Sequence, residues 1–302
     1  MISKIVLPLD GSPVAEIALP YGRVLAQGLN LPVTLLSAID LEEIARHVAT
    51  ERGLFLDTLD DFETRRRHEY LTSTAKSFAG VAVESQVKKG VAADSIVEYA
   101  ATDKNTLIVM ATHGRSGLQR WLLGSVAEKV LRATANPLLL VRAAEGGDVT
   151  GVQKLDCIIV PLDGSSVAEQ VLPLVTEVAG QLDLEVILFR SYNVPYAGYY
   201  EGGGSYAVDL PRLSAAIETD VQHYLEERCA ALSKAGLVKV TYASQEGLAG
   251  DAIIHYARTK PDYLIAMCSH GRSGARRWVL GSVTETVVRH AGNPVLVLRA
   301  AD

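Results

Sequence analysis

Residues 107–142 of the chain read LIVMATHGRSGLQRWLLGSVAEKVLRATANPLLLVR, and residues 264–299 read LIAMCSHGRSGARRWVLGSVTETVVRHAGNPVLVLR. The two stretches are identical at 21 of 36 positions without a gap. Each holds an apolar run typical of a buried parallel strand, then a glycine-rich turn, then a helix that opens with Gly-Ser. Backbone N–H groups at such a turn and at a helix N-terminus can bind an anion. We therefore predict two copies of one nucleotide-type phosphate site.

The repeat extends to the start of each half of the chain. Residues 4–26, KIVLPLDGSPVAEIALPYGRVLA, correspond to residues 157–179, CIIVPLDGSSVAEQVLPLVTEVA, with an offset of 153. The later glycine turns differ by 157, so the second copy gained four residues, and the Tyr- and Gly-rich segment 192–211 is the predicted place. We predict one domain at residues 1–143 and another at 155–302, joined by a linker at 144–154.

Composition argues against several classes of protein. The 302 residues are 48% hydrophobic and carry a net charge of −6, which disfavours general binding to nucleic acid or to anionic membranes. The three cysteines show no CxxC spacing, so no disulfide framework or zinc site is predicted and a reducing cytoplasmic location fits. The N-terminus lacks a signal-peptide core, and no run approaches the 18 or so apolar residues of a membrane span.

Hydrophobic periodicity predicts alternating strands and helices in each copy. In the first copy the predicted strands are 5–9, 33–37, 81–87, 106–111 and 137–141. The predicted helices are 13–28, 61–79, 92–102 and 125–133. Ser12 is the expected N-cap of the first helix, and the RRR run at 65–67 is placed on the solvated face of the second. This alternation indicates an α/β fold with a doubly wound parallel sheet, which binds ligands at the carboxyl ends of its strands.

The Gly-Ser helix start has two interpretations. Ser125 and Ser282 open helices whose first N–H groups can hold a phosphate, although the chain has no GxxxxGK[ST] motif and hence no Walker lysine. The same serines, each followed three residues later by Glu128 or Glu285, also match a capping box, which needs no ligand. The glycine turn at a fixed spacing, occurring twice, favours the phosphate site.

Acidic residues end the first strand of each copy in the sequence PLDGS. Asp10 and Asp163 could bind a ribose hydroxyl or a metal ion there, whereas an Asp before Gly is by itself more often a turn residue. Their position beside the strand-four turn favours function, because the first and fourth strands flank the switch point. His113 and His270 are interpreted as structural, and no nucleophile or general base stands at a telling spacing, so no catalytic residue is predicted.

These motifs resemble the universal stress protein family in its tandem two-domain form. The nucleotide motif of that family is G-x2-G-x9-G-[ST], and its second and third glycines are matched at 114–125 and at 271–282. Its first glycine is replaced by Ala111 and by Cys268, so the two sites are expected to differ and the first to be the better preserved. The resemblance implies, for each copy, a Rossmann-like, adenine nucleotide alpha hydrolase-like sheet of five parallel strands in the order 3-2-1-4-5.

The resemblance also implies a ligand and the residues that hold it. Some members of the family bind ATP and others do not, and the expected cofactor here is ATP, ADP or AMP, with Mg²⁺ or Mn²⁺ as a divalent ion. By position, the acidic turns would meet the ribose, the backbone ending the second strand would meet the adenine, and the glycine turn with its helix would hold the phosphates. The predicted nucleotide-binding residues are Pro8, Asp10, Gly11, Ala38, Met110, Gly114, Arg115, Gly117, Gly124, Ser125, Val126, Pro161, Asp163, Gly164, Ser191, Met267, Gly271, Arg272, Gly274, Gly281, Ser282 and Val283.

Partners and function follow from the same resemblance. It implies that residues 138–141 and 295–298, the last strands, pair across a two-fold axis within one molecule, which makes the chain an intramolecular pseudo-dimer that can also form a homodimer. The favoured function is an ATP-binding regulatory protein of the stress response with little or no turnover. A slow ATPase or phosphoryl-transfer enzyme and a ligand-free interaction scaffold are the alternatives.

Overall fold

The computed structural model describes residues 1–40, 56–112, 123–142, 154–194, 210–259, 262–271 and 280–300. Within these ranges the strands are β1 Lys4–Pro8, β2 Val33–Ile39, β3 Val83–Lys89, β4 Thr106–Ala111, β5 Leu138–Val141, β6 Cys157–Pro161, β7 Glu185–Tyr192, β8 Val240–Glu246, β9 Tyr263–Cys268 and β10 Val295–Leu298. The helices are α1 Pro13–Glu16, α2 Leu19–Gly28, α3 Leu56–Ala75, α4 Ala92–Ala101, α5 Ser125–Ala133, α6 Ser166–Glu169, α7 Leu172–Leu182, α8 Leu210–Lys234, α9 Ala249–Ala257 and α10 Ser282–His290.

The strands form one sheet in the order β3-β2-β1-β4-β5-β10-β9-β6-β7-β8. Within each copy the strands are parallel and follow the expected order 3-2-1-4-5, so the predicted α/β fold is confirmed. The two copies join where β5 and β10 pair antiparallel, with Leu139 opposite Leu296. The last strands therefore pair within one molecule, as the resemblance implied.

Most predicted elements lie where periodicity placed them, and the five strands of the first copy start and end within two residues of the prediction. Ser12 caps α1 as expected, since its Oγ accepts a hydrogen bond from the N–H of Ala15 at 3.2 Å. The helix predicted over 13–28 is two helices instead, because the ring of Pro20 would clash with the carbonyl of Glu16 in a continuous helix. The next helix, α3, begins at Leu56 rather than at residue 61.

The sheet has an apolar core on each face, and both cores include residues of both copies. On one face α2 and α7 come together, and the absence of a side chain on Gly28 leaves room for the methyl groups of Leu182. On the same face the N–H of Ile2 donates to Glu177 Oε1 at 2.8 Å. The two copies thus share packing on both sides of the β5–β10 junction.

Two equivalent arginines tie the copies together beside this junction. Arg142 Nη2 donates to the main-chain oxygens of Val288 (3.3 Å) and Arg289, at the C-terminal end of α10. Arg299 Nη1 donates to the main-chain oxygens of Arg132 (2.9 Å) and Thr134 (3.3 Å), at the end of α5. The last carbonyls of a helix lack intrahelical partners and carry partial negative charge, so each arginine caps a helix of the other copy.

We expect Arg142→Ala to lower the free energy of unfolding by about 1–3 kcal/mol, because it removes charged hydrogen bonds from carbonyls inside the junction. Urea unfolding followed by circular dichroism measures the change. Lys154→Ala is the control, since Lys154 pairs with Asp156 at the surface and is expected to contribute less than about 1 kcal/mol. Equal effects of the two substitutions would contradict the proposed helix-capping role of Arg142.

Candidate functional site

The carboxyl ends of β1 and β6 carry the same acidic turn. Asp163 Oδ1 accepts hydrogen bonds from the N–H of Ser165 at 2.9 Å and from its hydroxyl at 2.6 Å. Asp10 Oδ1 accepts the same two bonds from Ser12, at 2.9 and 2.6 Å. The aspartates are therefore turn residues in both copies, and the turn uses one carboxylate oxygen of each.

The helices that follow the glycine turns begin with a glycine cap. The N-cap of α10 is Gly281, with φ −62° and ψ 143° and no side-chain cap, and Ser282 is the first helical residue. Gly124 caps α5 with nearly the same angles, φ −61° and ψ 149°, and Ser125 follows it. The capping-box interpretation is wrong, because that motif needs the serine itself at the N-cap. The first N–H groups of each helix have no intrahelical partner.

A backbone hydrogen bond holds each of these helix starts against its strand. The N–H of Gly281 donates to the oxygen of Ser269 at 2.8 Å, and that of Gly124 donates to Thr112 at 2.7 Å. A side chain on Gly281 would place its Cβ 3.1 Å from the Ser269 oxygen, so glycine permits this approach. Residues 113–122 and 272–279 lie outside the described part of the chain, and with them the predicted Gly114, Arg115, Gly117, Arg272 and Gly274.

In the second copy these elements surround an open pocket with about 850 Å³ of empty space, part of it open to solvent. The cavity itself has a volume of about 270 Å³, close to the lower limit of small-molecule and cofactor sites, which is roughly 300 Å³. Eight of the eleven site residues predicted for this copy line it, and they are Pro161, Asp163, Ser191, Met267, Gly271, Gly281, Ser282 and Val283. Gly164 belongs to the acidic turn but is not part of the lining.

The acidic turn and the glycine turn meet in this pocket. A side chain on Gly271 would overlap Asp163 Oδ2, so the carboxylate lies directly against the backbone of that glycine. The contact follows from topology, because β6 pairs with β9 and their carboxyl ends lie side by side. The expected neighbourhood of the acidic residue and the strand-four turn is therefore present.

Further lining residues were not found by sequence reasoning. Phe189 on β7 and Ala249 and Ile253 on α9 make one side of the pocket apolar. The position of Phe189 could have been inferred from Ser191, because residues two apart in a strand share a face. The α9 residues carry no comparable signal, since their orientation depends on how the helix packs. Leu162, Ala168 and Thr284 complete the group that the motif did not indicate.

The residues that depart from the motif also lie here. Cys268, which replaces the first glycine, is 4% exposed, and its Sγ lies 3.6 Å from the oxygen of Ala168. Burial raises the pKa of the Cys268 thiol to about 12. His270 Nδ1 lies 2.9 Å from the hydroxyl of Ser269. His113 lies outside the described residues.

We expect Cys229 to be the only one of the three cysteines that iodoacetamide labels in the folded protein at pH 8. Cys157 and Cys268 are buried, while Cys229 is half-buried, and alkylation requires an accessible thiolate. Peptide mass spectrometry after brief labelling reads the three sites separately, and the same reaction in urea should label all three. Rapid native labelling of Cys268 would show that its side chain opens toward the pocket.

The first copy repeats this arrangement in its described residues. Pro8, Asp10, Ala38, Met110, Gly124, Ser125 and Val126 occupy the positions that line the second pocket, at the same points of the corresponding strands and helix. Gly11 and Gly164 adopt left-handed φ values of 76° and 86° in the two acidic turns. The two sites therefore share one backbone design.

The described residues were also compared with the requirements of a metal centre and of a membrane-spanning helix. They contain no cluster of three or more His, Cys, Asp or Glu side chains able to hold a metal ion. None of the helices in the described ranges is long and apolar enough to cross a lipid bilayer.

Comparison with known proteins assigns the repeat to one family. A model of the Universal stress protein family matches residues 1–142 and again residues 155–299. A universal stress protein of Methanocaldococcus jannaschii is 32% identical over 142 residues, which is 47% of this chain and 83% of that protein. One from Mycobacterium tuberculosis is 23% identical over 304 residues, 98% of this chain and 96% of the relative. A solved universal stress protein from Archaeoglobus fulgidus shares the fold, with a TM-score of 0.70 at 20% identity over 99% of this chain and 98% of that one.

Proposed function

Since this chain belongs to the universal stress protein family, we propose that it is an adenine-nucleotide-binding regulatory protein of the stress response with little or no turnover. The observation that carries the proposal is the pocket of the second copy, where the acidic turn, the glycine turn and a helix N-terminus converge. The corresponding residues of the first copy provide a second site of the same type.

The chemistry of the pocket suits the three parts of a nucleotide. Phe189, Ala249 and Ile253 offer an apolar slot for a base, beside β7. The Asp163 carboxylate is an acceptor for ribose hydroxyls at the end of β6. The N–H groups that begin α10 can bind phosphate oxygens, which also gain from the positive end of the helix dipole. This order of groups is the one that the resemblance implied.

A divalent ion is expected to bind only together with the phosphates of the nucleotide. Among the described residues, the acidic turn of each site contributes one carboxylate, Asp10 or Asp163, and the turn already uses one oxygen of that group. Mg²⁺ commonly keeps several waters and binds through one or two carboxylates plus substrate phosphates. We therefore propose that Mg²⁺ or Mn²⁺ enters with the nucleotide, where it would offset phosphate charge.

The described lining supports binding more than turnover. Its titratable side chains are Asp163, Cys268 and His270. Asp163 is engaged in the turn, and the raised pKa of Cys268 keeps its thiol protonated, so neither is prepared as a nucleophile. A regulatory role, in which the bound nucleotide sets the state of the protein, is the proposal that agrees with these groups.

Mass spectrometry of the nucleotide released from purified protein tests the proposal. We expect ATP, ADP or AMP in the released fraction, and calorimetry of the emptied protein with ATP and Mg²⁺ should give a stoichiometry of up to two per chain. Incubation with labelled ATP then measures turnover, and many product molecules per chain would establish an ATPase instead. Failure to retain or bind any of the three nucleotides would favour a ligand-free scaffold.

We further propose a cytoplasmic location, because the three cysteines are free thiols.

A homodimer of the whole chain stays a prediction, and light scattering of the purified protein measures the mass of the particle directly. A mass of one chain would limit association to the intramolecular pseudo-dimer.

A further inference from the structure

A buried arginine lies behind the acidic turn of the first copy. The RRR run at 65–67 was predicted to face solvent, and Arg65 and Arg66 do, but Arg67 is only 6% exposed. Its Nη1 donates to the main-chain oxygen of Asp10. Its Nε lies 3.9 Å from the carboxylate of Glu63, which is also buried. Burying an ion pair costs desolvation free energy, so its presence at the end of β1 calls for an explanation.

The second copy carries no charge at this helix position. Tyr70 on α3 donates its hydroxyl to Glu16 at 2.9 Å, and Tyr224 on α8 donates to Glu169 at 2.7 Å. These equivalent contacts align the two helices, with an offset of 154. Val221, 4% exposed, therefore stands where the first copy has Arg67. Ile217 likewise replaces Glu63.

The acidic turn itself does not require Arg67. In the second copy Asp163 and Ser165 form hydrogen bonds of the same lengths as those of Asp10 and Ser12, although the residue equivalent to Arg67 is Val221. The arginine therefore provides something other than the geometry of the turn.

The second copy places an arginine on the facing strand instead. Arg190 on β7 occupies the position of Ser37 on β2, and its Cζ lies 4.7 Å from the ring centroid of Tyr224. Ser37 is 0% exposed, so this strand position of the first copy holds a small, buried and uncharged side chain. The first copy thus combines Ser37 with Arg67, and the second combines Arg190 with Val221. Each copy therefore has an arginine near the carboxyl ends of its first two strands, Arg67 from the long helix in the first copy and Arg190 from β7 in the second.

We propose that Arg67 and Arg190 are counter-charges that set the affinity of their pockets for the phosphate charge of the ligand. This inference rests on the proposed nucleotide-binding function. An anionic ligand beside Asp10 or Asp163 is repelled by that carboxylate, and a nearby cation in a partly desolvated site reduces the repulsion. Arg67 is buried and is therefore less screened by solvent than the half-buried Arg190, which lies next to the pocket residues Phe189 and Ser191 but is not part of the lining. The first site should therefore depend more strongly on its arginine.

Binding of AMP, ADP and ATP to matched variants tests this role. The assay is calorimetry on the full chain with Gly281→Val, a change intended to block the second pocket so that the first alone reports. We expect Arg67→Met to weaken ATP binding roughly tenfold and AMP binding less, because the effect grows with ligand charge. Arg67→Lys, which keeps the charge, should stay within about threefold of the parent, and Arg65→Met is the exposed control on the same helix.

A transplant separates charge from packing. Ser37→Arg combined with Arg67→Val builds the second copy's arrangement into the first, and it should recover most of the ATP affinity that Arg67→Val loses. Urea unfolding of each variant checks that it is folded, and Arg67→Lys covers the case in which Arg67→Met does not fold.

Three results would overturn the inference. They are an unchanged ATP affinity in Arg67→Met, an equal loss for AMP and ATP, and a transplant no better than Arg67→Val. If the parent protein binds none of the three nucleotides, the proposed function fails first and this inference fails with it. If the parent binds and only the variants disagree, the counter-charge role alone is refuted.

Discussion

Gly281→Val is expected to abolish nucleotide binding in the second pocket, with at least about a hundredfold loss of affinity, and to leave the fold intact. The Cβ would lie 3.1 Å from the Ser269 oxygen, and the two added methyl groups would occupy space at the N-terminus of α10 where the phosphates are proposed to bind. The backbone angles of Gly281 are open to any residue, so the substitution should not unfold the helix. Calorimetry should report one site per chain instead of two.

Two matched variants make that result specific. Gly124→Val should remove the first site and keep the second, since Gly124 has the same cap geometry and the same backbone bond to its strand. Gly292→Ala lies just beyond the other end of α10, where an added Cβ meets no atom within 4 Å, and should change neither site. If Gly281→Val binds two nucleotides with parental affinity, the phosphates do not lie at this helix start.

The fold could be predicted in detail because its signals are local and repeated. The apolar runs at 106–111 and 138–141 are buried throughout, as a parallel strand covered on both faces requires. The strand order that the resemblance implied places the first and fourth strands side by side, and the contact between Asp163 and Gly271 agrees with it. The apolar runs and the internal repeat can be read from the sequence itself, without knowing how distant segments pack.

What sequence reasoning missed depends on packing between distant segments. Ser125 matched a capping box, yet the bond from Gly124 to Thr112 moves the cap to the glycine, and no local pattern reports that bond. Arg67 sits in a polar run, and its burial arises from the approach of α3 to the end of β1. The apolar pocket residue Ile253 depends on the rotation of α9. Each miss involves a partner more than ten residues away.

The β5–β10 junction should account for a large part of the stability of the chain. Leu139 and Leu296 lie directly opposite each other in this antiparallel pair and are 1% and 3% exposed. We expect Leu139→Ala and Leu296→Ala each to lower the free energy of unfolding by about 2–5 kcal/mol, from lost burial and the cavity left behind. Urea unfolding followed by circular dichroism measures both, and Leu248→Ala, at an exposed position, should cost less than about 0.5 kcal/mol.

The double variant shows whether the two side chains contact each other across the junction. If they do, the combined loss should fall short of the sum of the single losses by about 0.5–3 kcal/mol, because the second truncation removes a contact already weakened by the first. Side chains directly opposite in antiparallel strands have Cβ atoms about 4.5–5.5 Å apart, which is close enough for this coupling. Strictly additive losses would mean that the two side chains do not contact each other across the junction. A small cost for Leu139→Ala alone would mean that β5 is a sheet edge in solution.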